Sequence, residues 1–90
     1  FREVRDAIHA QEKMRERFVA EDQRVAALRQ SLHLAKLRYE NGVASQLDVL
    51  DAERNLLDAE QSRADALRAQ RAAVADLFRA LGGGWDASKT

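Results

Sequence analysis

The chain has 90 residues, 15 basic and 15 acidic side chains, no Pro and no Cys, which bounds it to one small domain without a disulfide framework or a thiolate metal site. The balanced charge argues against nucleic acid as the main partner, and no apolar run approaches the ~20 residues of a membrane-spanning helix. Ala, Leu, Arg, Glu, Asp and Gln dominate, a composition of long, partly exposed helices rather than of a sheet or a compact ball.

The opening "FREVRDA" is already in helical pattern and lacks an initiating Met, so the chain reads as a piece of something larger. Positions 4, 7, 11, 14, 18, 21, 25, 28, 32, 35 and 39 are spaced alternately by three and four, and nine of the eleven are apolar. That rhythm is a coiled-coil seam and predicts a helix over about 2–40.

The pattern breaks once, in "RYENGVASQLDVLDAER" at 38–54. A turn over 41–45 follows from its residues: Gly42 (or Asn41) suits the left-handed position that ends a helix, and Ser45 is a good N-cap. Asp48 stands at N3, where a carboxylate completes a capping box.

A second helix is predicted over about 46–81, with a seam at 50, 53, 57, 60, 64, 67, 71, 74, 78 and 81, seven of ten apolar. A short turn forces antiparallel neighbours. Folding back sets Leu28 against Leu57, Phe18 against Leu67, Ala35 against Leu50, Ala7 against Phe78 and Val4 against Leu81. The expected fold class is all-α: a long antiparallel two-helix coiled-coil hairpin over 1–81, each arm roughly 55 Å long at about 1.5 Å per residue. One residue back from this seam runs another stripe, 49, 52, 56, 59, 63, 66, 70, 73, 77 and 80, apolar at eight of ten positions and with five Ala. It reads either as an ordinary wide apolar face or as a contact for a second neighbour. "LGGGW" at 81–85 is expected to end the helix, leaving 82–90 as a glycine-rich tail in which Trp85 must find apolar cover.

Little in the chain suggests catalysis. His9 and His33 stand alone, Gly82–Gly84 follow a helix where a phosphate cradle would precede one, and no Ser has a His in plausible relay. The chain does not read as an enzyme and implies no cofactor or metal. The corner is more distinctive: Asp48, Asp51, Glu53, Asp58 and Glu60 crowd 48–60, with Arg54 the sole base. Acids suit the first turns of a helix because they offset its positive end. Asp48 and Asp51, at i and i+3, also share one face, and copies of the hairpin around an axis would turn them into acidic rings that favour cations.

The run "LRYENGVASQLDVLDAERNLLDAE" (37–60), with "LFRALGGGW" (77–85) after it and "FREVRDA" before it, resembles the outer-membrane efflux proteins, the TolC and OprM type channels. The closing "ALGGGW" is similar to the OprM-like lipoprotein branch. The resemblance implies a homotrimeric exit duct of Gram-negative bacteria whose periplasmic part is an α-helical barrel, with this chain as its C-terminal hairpin. It implies as partners a periplasmic adaptor protein and an inner-membrane pump. The corner would be the periplasmic tip: Asp48 and Asp51 match carboxylates at the narrow entrance, Tyr39 a tyrosine that helps hold it shut, and Gly42, Val43, Ala44 and Ser45 the adaptor-docking motif. TolC-type tips carry Arg where this chain has Ala44, so closure here would lean on apolar contacts and carboxylate repulsion.

Three other readings compete. An adaptor hairpin would carry an Arg-Leu-Ser turn that this corner lacks, and an RNA-binding arm would be basic toward its tip, where this one is acidic. A generic structural coiled-coil arm is the third.

Overall fold

The computed structural model describes the backbone of residues 2–89 and the side chains of residues 2–82. Two helices, α1 (Arg2–Glu40) and α2 (Gln46–Lys89), fold into an antiparallel hairpin with extents of 67 × 22 × 13 Å. The radius of gyration is 20.1 Å, against about 12 Å for a compact domain of this length. Among the described residues there is no strand.

Strong helix formers and the absence of Pro explain the length of both arms. Glu3 in the first turn of α1, Arg38 in its last and Asp48 in the first turn of α2 each oppose the local helix dipole. Pairs three residues apart, Glu21–Arg24, Asp65–Arg68 and Asp76–Arg79, add about 0.2–0.5 kcal/mol each.

The reversal between the arms carries capping hydrogen bonds at both of its ends. Gly42 takes φ +76°, the left-handed conformation, with Asn41 as C-cap. The Gly42 amide donates to the Tyr39 carbonyl at 3.1 Å and the Val43 amide to the Arg38 carbonyl at 2.8 Å, the two bonds of a Schellman motif. The Asn41 side-chain amide donates to the Leu37 carbonyl at 2.8 Å. At the start of α2, the Ser45 amide donates to Asp48 Oδ2 at 3.1 Å while the Asp48 amide donates to Ser45 Oγ at 3.2 Å, the reciprocal capping box expected from the sequence.

In α1 the ten predicted seam positions from Val4 to Ala35 are buried or half-buried, and no other α1 residue is; Tyr39, the eleventh, is exposed. In a two-helix hairpin only the other arm can provide that cover, so this stripe faces α2. Val25, 1 % exposed, is the largest fully buried side chain.

The face that α2 turns inward differs from the expectation. Leu50, Glu53, Leu57, Arg71, Phe78 and Leu81 of the predicted seam are exposed, Leu57 at 67 % and Phe78 at 68 %. The stripe one residue back is covered instead along its whole length, with Ala59 and Ala66 at 0 %. The covered face of α2 therefore includes Leu56 rather than Leu57, Leu77 rather than Phe78 and Ala80 rather than Leu81. Charge explains the preference. The leucine stripe would have brought Glu53, Glu60 and Arg71 against Leu32, Val25 and Met14, and a charge removed from water without a partner is costly. The alanine stripe carries a single charge, Arg63, and it pairs across the hairpin with Asp22 at 2.6 Å.

The second difference is at the end of α2, whose backbone runs helically through Gly82–Gly84 to Lys89 instead of stopping at 81. Each glycine weakens a helix by about 1 kcal/mol relative to Ala but leaves its N–H and C=O available, so the ladder can continue. Trp85 lies outside the residues whose side chains are described.

Candidate functional site

The tip presents a mixture of apolar and acidic groups to solvent. Val43 follows the left-handed glycine, where a Schellman motif commonly tucks an apolar side chain against the preceding turn, yet it is 75 % exposed. Leu47, in the first turn of α2, is also exposed. It lies off both apolar stripes, on the far side of the helix from α1. Leu47 was not among the expected tip residues, although an apolar residue out of phase with both stripes is a signal available in the sequence. Gly42 and Ser45 are exposed, and Ala44 is half-buried. A side chain built at Gly42 would meet nothing within 4 Å, so space beside it is open and only its φ constrains it.

The proposed entrance residues are all on the surface: Tyr39 in the last turn of α1, Asp48 and Asp51 in the first turns of α2. Asp48 has a structural task as well, because one carboxylate oxygen accepts the Ser45 amide. An open groove beside the tip is lined by Ser31, Leu34, Ala35, Arg38, Ala44 and Asp48, so a guanidinium from the end of α1 and a carboxylate from the start of α2 share it. Among the described residues no group of three His, Asp or Glu is placed to hold a metal ion.

Along the hairpin, Leu50, Leu57, Phe78 and Leu81 form an apolar stripe of α2 that α1 does not cover. Among the described residues no helix is long and apolar enough to cross a membrane. Fold and surface together define a coiled-coil hairpin with one lateral apolar face and a protruding tip left uncovered.

Comparison with known proteins gives this architecture a family. Residues 1–83 match the family described as outer membrane efflux protein. Among similar proteins are the outer membrane protein OprJ of Pseudomonas aeruginosa, 41 % identical over 90 residues (100 % of this chain, 19 % of that protein), and the probable efflux pump outer membrane protein TtgC of Pseudomonas putida, 38 % identical over 85 residues (94 % and 18 %). The cation efflux system protein CusC of Escherichia coli O6:H1 is 36 % identical over 85 residues (94 % and 18 %). No solved structure gives a significant match. The chain belongs to the outer membrane efflux protein family. It spans about a fifth of the length of these curated relatives.

Proposed function

We propose that this hairpin is a wall segment of the periplasmic tunnel in a homotrimeric outer-membrane efflux duct of a Gram-negative bacterium. Its tip meets a periplasmic adaptor protein that couples the duct to an inner-membrane pump, and the pore entrance lies at the same end. The observation that carries the reading is the uncovered leucine stripe of α2 on a chain of this family. A hairpin only 13 Å thick in one direction cannot bury Leu50, Leu57, Phe78 and Leu81 by itself. Each such side chain gains about 1.5–3 kcal/mol when removed from water. Neighbouring hairpins in a barrel wall provide that cover, and the tip is then the part left free to dock.

At the tip, Gly42, Val43, Ala44 and Ser45 form the docking loop, with exposed Leu47 extending it onto α2. Asp48 and Asp51 supply negative charge beside Tyr39, and around a three-fold axis their copies would raise the local concentration of cations at the mouth. The adaptor-hairpin and RNA-arm readings are not supported by a chain of this family with an acidic tip.

The test is assembly of the full-length protein with Leu57→Ser and Phe78→Ser. Both residues are exposed in the hairpin, so the two helices should form as before while the trimer weakens on native gels and in sedimentation. A trimer of unchanged stability would overturn the tunnel-wall reading.

A further inference from the structure

Two stripes of α2, one residue apart, are each apolar enough to serve as its seam, and the one that faces α1 is the poorer in hydrocarbon, with five Ala where the other has four Leu and a Phe. Buried apolar area alone would favour the leucine stripe. The choice therefore depends on polar chemistry, and that chemistry centres on Arg63.

Arg63 occupies a seam position of the alanine stripe and is half-buried. Its Nε donates to Asp22 Oδ1 across the hairpin at 2.6 Å. Its guanidinium carbon lies 5.2 Å from the centre of the Phe18 ring, within cation–π range. Phe18 is itself on the α1 seam, and Glu21, the one charged residue of that seam, precedes Asp22 in the chain and pairs with Arg24. One turn toward the tip, Arg29 reaches Glu60 at 3.5 Å. We infer that Arg63 is the positioning residue that fixes which face α2 turns to α1, and with it which face the hairpin offers outward. Rolling α2 by one residue, about 100°, carries the guanidinium off Phe18 and away from Asp22. The same roll brings Glu53, Glu60 and Arg71 onto the seam. Arg63 thus acts less as a source of stability than as a selector between two packings. The inference concerns the packing of the hairpin itself and does not rest on the transport reading.

The test uses two cysteine pairs in the full-length protein: Leu28→Cys with Leu56→Cys reports the alanine face, and Leu28→Cys with Leu57→Cys reports the leucine face. Disulfide formation under mild oxidant is compared for each pair with Arg63 intact, with Arg63→Glu, and with Arg63→Glu plus Asp22→Arg. With Arg63 intact the pair at 56 should outpace the pair at 57. Arg63→Glu should shift that ratio toward 57 by about fivefold or more, because a carboxylate at that position faces Asp22. Exchanging the charges should restore the preference for 56. An unchanged ratio in Arg63→Glu, or a charge exchange that restores nothing, overturns the inference. If Arg63→Glu loses its helical signal in circular dichroism, the exchanged variant decides alone: recovery of both helix and the 56 preference supports the role of Arg63, and failure of either refutes it.

Discussion

Ser45 and Asp48 bond each other's backbone amides in both directions, at 3.1 and 3.2 Å, so the carboxylate proposed for the pore entrance is also a structural part of the tip. Substituting Asp48 by Ala therefore mixes two effects, loss of charge and loss of a cap. Asp48→Asn separates them, because an amide oxygen can still accept the Ser45 amide. Ser45→Ala should lower stability by about 1 kcal/mol through loss of the cap, measured as a shift in thermal unfolding. Asp48→Asn should unfold close to the native temperature. Combined with Asp51→Asn in the full-length protein, it should weaken cation preference in single-channel recordings in lipid bilayers. Unchanged selectivity would remove the acidic-ring role of both residues.

Gly42 gives a second separation. Its φ of +76° strains any L-residue by about 1–2 kcal/mol, while the space around it is open. Gly42→Ala and Gly42→Trp should therefore lose similar stability, and Gly42→Asn less, since Asn tolerates the left-handed region. Only the Trp variant adds bulk to the docking surface. Drug export in cells should then fall further for Trp than for Ala. Equal export by the two variants would place the adaptor contact elsewhere.

The seam makes a prediction about size. Ala66 is fully covered on the inward face of α2, so Ala66→Leu should overpack the interface and cost about 1–3 kcal/mol. Val25→Ala should open a gap at the largest fully buried side chain and also destabilise. Leu57→Ala, on the exposed stripe, should leave unfolding of the hairpin within about 0.5 kcal/mol of native. The ordering is the reverse of what residue size suggests, since the alanine is the sensitive position and the leucine the tolerant one. Thermal unfolding of the three variants checks it.

Most of this architecture can be read from the residues. The α1 seam is legible because only one stripe on that helix is apolar, and the chain reversal because Gly42, Ser45 and Asp48 each suit one position of a known cap. The inward face of α2 is harder. Large side chains suggest a core, and Leu50, Leu57 and Phe78 draw attention away from the alanines. The deciding signal was present in the sequence as charge: Arg63 has Asp22 to pair with across the hairpin, whereas Glu53 and Glu60 would have met only Leu32 and Val25. Passage of α2 through Gly82–Gly84 could not be read locally, because a run of glycines weakens a helix without removing its hydrogen-bonding groups. At the tip, the turn and the acidic start of α2 are legible from residue types, whereas the docking role proposed for the loop comes from the family resemblance. The exposure of Leu47 was legible too, because it is out of phase with both apolar stripes of α2.

The central claim is that the turn after Tyr39 is a docking tip, and its most direct test is contact. A photo-crosslinking amino acid at Val43 of the full-length protein, activated in cells that express the cognate pump, should capture the periplasmic adaptor, while the same group at exposed Glu16, far along α1, should not. Capture of the adaptor from position 16 and none from position 43 would contradict the claim.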